Sequence, residues 1–201
     1  MSNSYHAIAF TETVKAVQAE QGSRHVYAKQ EARARRNGHL TEREAHFIAA
    51  RDSVYMATSG ETGWPYIQHR GGPRGFMRVL DEETLGFADF SGNRQYISLG
   101  NILKDDRVSL FFMDYGNRAR LKLFGRAQPV DPTDTETLER LALPGYKARV
   151  ERGIIIKVEA FDWNCPQHIT PRLTEAEVIE AIRPLHERIA ELEAQLAAAR
   201  A

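Results

Sequence analysis

Cysteine is nearly missing from this chain: Cys165 is the single one in 201 residues. One thiol excludes an intrachain disulfide and is too few for a cysteine-rich zinc site or an iron–sulfur cluster, so any redox chemistry has to come from a bound cofactor. Cys165, just before Pro166, is expected to be a small buried hydrophobe rather than a redox thiol. Net charge is missing too, with 27 Lys+Arg against 27 Asp+Glu. Without a polybasic face the expectation is no nucleic acid and no anionic membrane as partner, and any bound anion is held locally. No apolar run approaches the roughly 20 residues that span a bilayer. The opening Met1-Ser2-Asn3-Ser4 lacks a cationic stretch followed by an apolar one. These absences together predict a soluble, cytoplasmic protein.

What is present falls into three pieces. Residues 1–40 are polar and rich in Ala, Glu, Gln and Arg, with few large apolar side chains, and are expected to form an N-terminal helical arm. Residues 41–172 carry short runs rich in Val, Ile, Tyr and Phe ended by turn residues: SVYMAT, PYIQHR, FMRVL, LGFADF, RVSLFFMDY, RLKLFGRAQPV and RGIIIKVEAF. That spacing predicts an antiparallel barrel or sandwich, a mainly β fold with helices. A capping box, Thr41 with Glu44, opens a helix expected over 42–51. Two more helices are expected at 94–104 and 133–142, the latter capped by Asp131 or Thr133 and stopped at Pro144-Gly145. In 173–201, Ile182, Leu185, Ile189, Leu192 and Leu196 recur at steps of three and four, a heptad seam. Three heptads are short for a free-standing coiled coil, so this helix is expected to pack on its own barrel or on a sister chain.

Three stretches carry chemistry. In ADFSGNRQ, the turn Ser91-Gly92-Asn93 supplies small polar residues whose amides, with the free N–H groups of the following helix, converge on a point that attracts anions. Arg94 adds a planar fork of donors suited to phosphate oxygens. The same four letters also describe a plain helix cap followed by a solvated arginine. In QHRGGPRGF, Gln68, His69 and Arg70 end a strand, and Gly71 and Gly72 leave the backbone bare. A flat ligand would approach there, or the glycines form a bulge at a barrel corner. It is neither a Walker loop nor a dinucleotide fingerprint. In NRARLKLFG, alternation puts Arg118, Arg120 and Lys122 on one face. Lys122 reads as solvated, and Arg118 or Arg120 is placed to meet the electron-rich edge of a ring system.

The order of elements over 47–130, with GFADFSGNRQ, ILKDDRVSLFFMDY and RLKLFGRAQPV, resembles the pyridoxamine 5'-phosphate oxidase family of FMN-binding split barrels. ETGWPYIQHRGGPRGF and DWNCPQH are similar to its flavin-nucleotide-binding branch, and the likeness covers roughly 120 residues, 47–172. The resemblance implies a six-stranded antiparallel split β-barrel, paired as a homodimer with FMN at the subunit interface. It implies that Phe90 and Ser91 face the isoalloxazine, that Arg94 and Gln95 with Asn93 take the phosphate, and that Gln68, His69, Arg70 and Gly71 lead into the flavin. Arg120 then falls near the pyrimidine edge of the ring. The segment DWNCPQHITPR is expected to cross to the sister subunit, where Trp163 and His168 cap its flavin.

This chain departs from the oxidase proper. QHRGGP replaces the R-x-x-L-L-K run and lacks its lysine, and CPQHITPR offers His168 and Arg172 instead of a closing R-x-H pair. Pyridoxamine phosphate is therefore not the expected substrate. The leading expectation is an FMN-dependent oxidoreductase that passes hydride or electrons from NAD(P)H or a protein donor to a small organic acceptor. The alternative is a flavin-binding, carrier or electron-transfer module without turnover. A third reading is a split barrel holding haem through His69 or His168. No metal cluster or Ser-His-Asp arrangement competes, and the scattered His residues read as hydrogen-bonding groups.

Overall fold

The computed structural model describes residues 4–33, 39–163 and 166–200. The expected runs become seven strands: β1 (Ser53–Ser59), β2 (Pro65–Gly71), β3 (Met77–Asp81), β4 (Thr84–Phe90), β5 (Arg107–Asp114), β6 (Ala119–Pro129) and β7 (Val150–Trp163). All pair antiparallel in one sheet of order β2-β1-β5-β6-β7-β4-β3. The six-stranded barrel is thereby corrected: there are seven strands, and the sheet is open, because β2 and β3 lie at its two edges and do not pair with each other.

Alternation builds the core. Val54 and Met56 of β1, Leu110 and Phe112 of β5, Leu121 and Leu123 of β6, and Ile154 and Ile156 of β7 point to one face and are buried. Phe76, Phe87 and Phe112 are among the largest fully buried side chains, each stabilising the fold by about 1.5–3 kcal/mol. The alternate residues, Tyr55, Ile67, Phe111, Arg120, Lys122 and Phe124, lie on the opposite, outer face.

Seven helices are described. α1 (Tyr5–Ala9), α2 (Glu12–Glu20) and α3 (Arg24–Arg33) form the arm. α1 is anchored to the outer face, where Tyr5 stacks on Phe124 at 4.8 Å and Lys122 lies 4.7 Å from the Tyr5 ring. α2 and α3 are held together through Arg24, which donates to Gln18 and to Glu31. α4 (Glu42–Ala49) begins with the expected capping box of Thr41 and Glu44. α5 (Ile97–Lys104) starts three residues later than the sequence suggests, because Arg94 and Tyr96 take left-handed φ values of 60° and 55° that no helix tolerates. α6 (Thr135–Leu141) is capped by Asp134, whose side chain accepts from the Thr137 amide, in place of Asp131 or Thr133.

α7 (Glu175–Arg200) has no buried residue, so its heptad seam does not pack on its own sheet. No described helix is long and apolar enough to cross a membrane. Cys165 lies outside the described residues.

Candidate functional site

β4 ends at Phe90, and the chain turns over the end of the sheet before entering α5. Along β2 the period-two alternation sends Tyr66, Gln68 and Arg70 to the side of this turn and Ile67 and His69 to the other. Gln68 and Arg70 thus meet Asn93, Arg94, Gln95 and Phe90 in one cavity of about 230 Å³. The turn is tightened by the Asn93 Oδ1 accepting from the Gln95 amide at 3.2 Å. Tyr96, the residue before α5, supplies no side-chain cap, so the first amides of the helix keep their positive ends open toward the cavity that Ile97, Ser98 and Leu99 help line. Two non-glycine residues in left-handed conformation within three positions are the kind of strain that persists where a site requires it.

A continuous polar chain joins the two arginines. Arg94 Nε donates to Tyr96 Oη at 2.9 Å, and Tyr96 Oη donates to Glu151 Oε1 at 3.4 Å. Arg152 donates to Glu151 at 3.2 Å and to Asp89 at 3.4 Å, and Arg70 Nη1 donates to Asp89 Oδ1 at 2.6 Å. Arg70 Nε is buried without any partner, an unused donor beside the cavity. Burial pushes the Asp89 carboxyl above its ordinary range, against the opposing pull of Arg70 and Arg152. Glu151 is held below its ordinary range by the Ser91 hydroxyl, despite some desolvation, with Tyr96 adding to the effect. The Arg94 guanidinium is held charged by its bond to Tyr96.

The remaining candidates lie elsewhere. Ser91 caps β7 instead of lining the cavity: its amide donates to Arg149 O at 2.8 Å and its hydroxyl to Glu151 at 2.9 Å. His69 is on the outer face, edge-on to Tyr55 at 5.6 Å. The space beside Gly71 and Gly72 is taken by the chain itself: an added Cβ would sit 3.0 Å from the His69 ring and 2.8 Å from Phe76 Cβ, respectively. That is the tight corner, not the open approach path. Arg120 and His168 share a second cavity, of about 490 Å³, on the outer face with Tyr55, Ile67, Phe111 and Met113. There Arg120 Nε is likewise buried and unpartnered, and His168 has a left-handed φ of 62°.

Trp163 is in neither cavity. Its indole packs edge-on to Phe47 at 4.7 Å, lies under Arg43 at 4.3 Å and donates to Glu44 Oε1 at 2.6 Å. Trp163 is thus held by its own chain at the end of the sheet. The crossover segment includes residues 164 and 165, which lie outside the described residues.

Asp89, Glu151, Tyr66, Tyr96 and Ser98 were not among the sequence candidates, yet they line or brace the first cavity. Asp89 carried a readable signal, a lone acid inside the apolar strand GFADF. Glu151 carried none, because the register that brings β7 beside β4 is not local. Among the described residues no group of three His, Cys, Asp or Glu could hold a metal ion.

The family described as pyridoxamine 5'-phosphate oxidase matches residues 40–161, more than half of the chain, and the chain belongs to that family. HupZ of Group A Streptococcus has a TM-score of 0.50 at 18% identity, over 67% of this chain and 99% of its own. A Clostridium acetobutylicum protein related to general stress protein 26, of the pyridoxinephosphate oxidase family, gives 0.45 at 18%, covering 62% and 86%. An FMN-binding protein from Syntrophomonas wolfei gives 0.44 at 12%, covering 59% and 81%. At these identities the likeness is one of fold. No curated protein matches.

Proposed function

We propose that the chain is a homodimeric FMN flavoprotein of split-barrel type, and that the cavity before α5 receives the FMN phosphate. One observation carries this reading: an unpartnered, buried Arg70 Nε, the Arg94 guanidinium and the uncapped start of α5 meet in one cavity inside the segment that matches the family. Arg70 Nε has no acceptor of its own, Arg94 commits its Nε to Tyr96, and the start of α5 has no side-chain cap, so a phosphate would supply acceptors that the chain does not. At about 230 Å³ the cavity is smaller than the roughly 300–1,000 Å³ of a pocket that takes a whole ligand, so it suits the phosphate end and not the ring. The outer cavity, with Tyr55, Ile67, Phe111 and Met113 as apolar lining and Arg120 as its cation, has the character suited to the ring.

Bound FMN would supply hydride or single-electron transfer. Arg120 places a positive charge for the electron-rich edge of the ring, which favours its reduction. Asp89 and Glu151 hold Arg70 and Arg152 in place and balance the cavity's charge, so that one phosphate is accommodated and further anions are not attracted. The donor is NAD(P)H or a protein and the acceptor a small organic molecule. Pyridoxamine phosphate is disfavoured, because QHRGGP has no lysine for its phosphate.

Titrating apo-protein with FMN, riboflavin and FAD tests the reading. FMN should bind best, and Arg94→Ala should weaken FMN by about 1.5–3 kcal/mol, the scale of a charge-assisted bond, while leaving riboflavin unchanged. Equal affinity for FMN and riboflavin sinks the phosphate pocket. Anaerobic bleaching by NADH or NADPH supports turnover; a persistent oxidised spectrum with both favours a carrier or electron-transfer module.

A further inference from the structure

The apolar side of α7 is uncovered. Leu185, Ile189, Leu192 and Leu196 are 46 to 63% exposed, and no residue of the 26-residue helix is buried. Only its start is tied down. Thr174 and Glu177 form a reciprocal cap, with the Thr174 amide donating to Glu177 at 2.8 Å and the Glu177 amide to the Thr174 hydroxyl at 3.3 Å, and Arg74 reaches Glu177 at 3.6 Å. Beyond that the helix extends for about 35 Å with one apolar side.

The residues on that side say what covers it. Writing the seam in heptads puts Ile182, Ile189 and Leu196 at a and Val178, Leu185, Leu192 and Ala199 at d. The central heptads, Ile182 and Ile189 at a with Leu185 and Leu192 at d, carry the pairing that favours two strands in a parallel coil. The flanks agree. Arg188 falls at g and Glu193 at the following e, so in a parallel pair each Arg188 faces the partner's Glu193, twice by symmetry. The other flanking positions, Ala181 with His186 and Gln195 with Arg200, set no like charges against each other. Pro184 falls at c, off the seam, and the Arg183–Glu180 pair at 2.7 Å lies on the outward side.

We propose that α7 pairs in parallel and in register with α7 of a second copy of this chain, a dimer contact separate from the flavin site. Joining the two helices to bodies that also associate would offset the shortness of the seam through effective concentration.

The test uses the full-length chain in a Cys165→Ser background, which removes the one native thiol. Ala199→Cys puts a thiol at d, where the two copies come within disulfide range, and Ala198→Cys puts one at c, facing outward. Under mild oxidation Ala199→Cys should form covalent dimer at least about tenfold faster than Ala198→Cys, and adding Ile189→Asp, a charge in the seam, should erase the difference. FMN affinity, measured alongside, should not change in any of these variants. Equal rates at 198 and 199, or a difference that survives Ile189→Asp, would overturn the parallel pairing. Loss of flavin binding in the parent protein bears on the cofactor reading alone.

Discussion

Arg70 has an ion pair with Asp89 and a proposed contact with the FMN phosphate, which a single substitution confounds and a double substitution separates. Its side chain is 17% exposed, and the Asp89 side chain that it contacts at 2.6 Å is 10% exposed. Arg70→Ala leaves Asp89 with Arg152 at 3.4 Å as its remaining cation. Breaking a fully buried ion pair costs about 3–5 kcal/mol, and with Arg152 still in place the expected loss in urea unfolding is about 1.5–3 kcal/mol. The same change removes the unpartnered Nε from the cavity, so FMN affinity should fall roughly ten- to hundredfold, the equivalent of one charge-assisted bond. Asp89→Asn added to Arg70→Ala removes the stranded charge. Stability should then recover by about 1 kcal/mol or more, because contacting residues are not additive. The FMN affinity should not recover. Parent-like FMN binding by the double variant would show that Arg70 serves only Asp89, and an Arg70→Ala protein as stable as the parent would refute the ion pair itself.

Two further outcomes follow from the frame around the site. Hydrogen bonds from Thr41 and Trp163 hold the Glu44 carboxyl below its ordinary value although burial opposes them, so its stabilisation is full above the unfolded carboxylate pKa and is lost as pH falls through the lower folded value. In a Trp64→Phe background, Trp163 emission should shift red on that acid limb, and Glu44→Ala should cost about 1–3 kcal/mol at neutral pH and flatten it. A red shift that is the same in Glu44→Ala and parent would count against the assignment. Gly125→Ala should cost about 1–3 kcal/mol or more in thermal unfolding, since its Cβ would lie 2.7 Å from both Lys157 O and Ile156 Cγ2, whereas Gly92→Ala, with nothing within 4 Å, should be neutral for the fold.

The strands were legible because each run alternates or is flanked by turn residues, and all seven runs became strands. The count of six came from the family likeness, not from the residues, and it is the count that had to be corrected. Arg70 and Gln68 were legible as candidates and line one cavity, and their separation from His69 was implicit in the same alternation: neighbours on a strand cannot share a face. The start of α5 was not legible. Its late onset follows from left-handed Arg94 and Tyr96, conformations that only tertiary contacts such as Tyr96 with Glu151 and Arg152 make tolerable. Trp163 was ambiguous for a comparable reason, since its partners Arg43, Glu44 and Phe47 are more than a hundred residues away in sequence.

The placement of β2 links the sheet order to the candidate site. Among the described residues β2 pairs only with β1, so its other edge has no strand beside it there. Gln68 and Arg70 face one cavity and Ile67 faces the other, with the strand itself between them. A ligand with its phosphate at Arg94 cannot reach Arg120 of the same chain through the sheet, which is closed there by backbone pairing and by Val54, Met56 and Leu110. Contact with an Arg120 therefore runs around the free edge of β2 or is made with a second copy brought against that edge. A bare edge carries unpaired amides and carbonyls and calls for cover. Pro65 and His69 on β2 limit indiscriminate strand addition, and Trp64 beside it is 77% exposed. In the proposed homodimer the free strand edge and the two cavities make the same demand, and a second subunit docked along β2 would meet both.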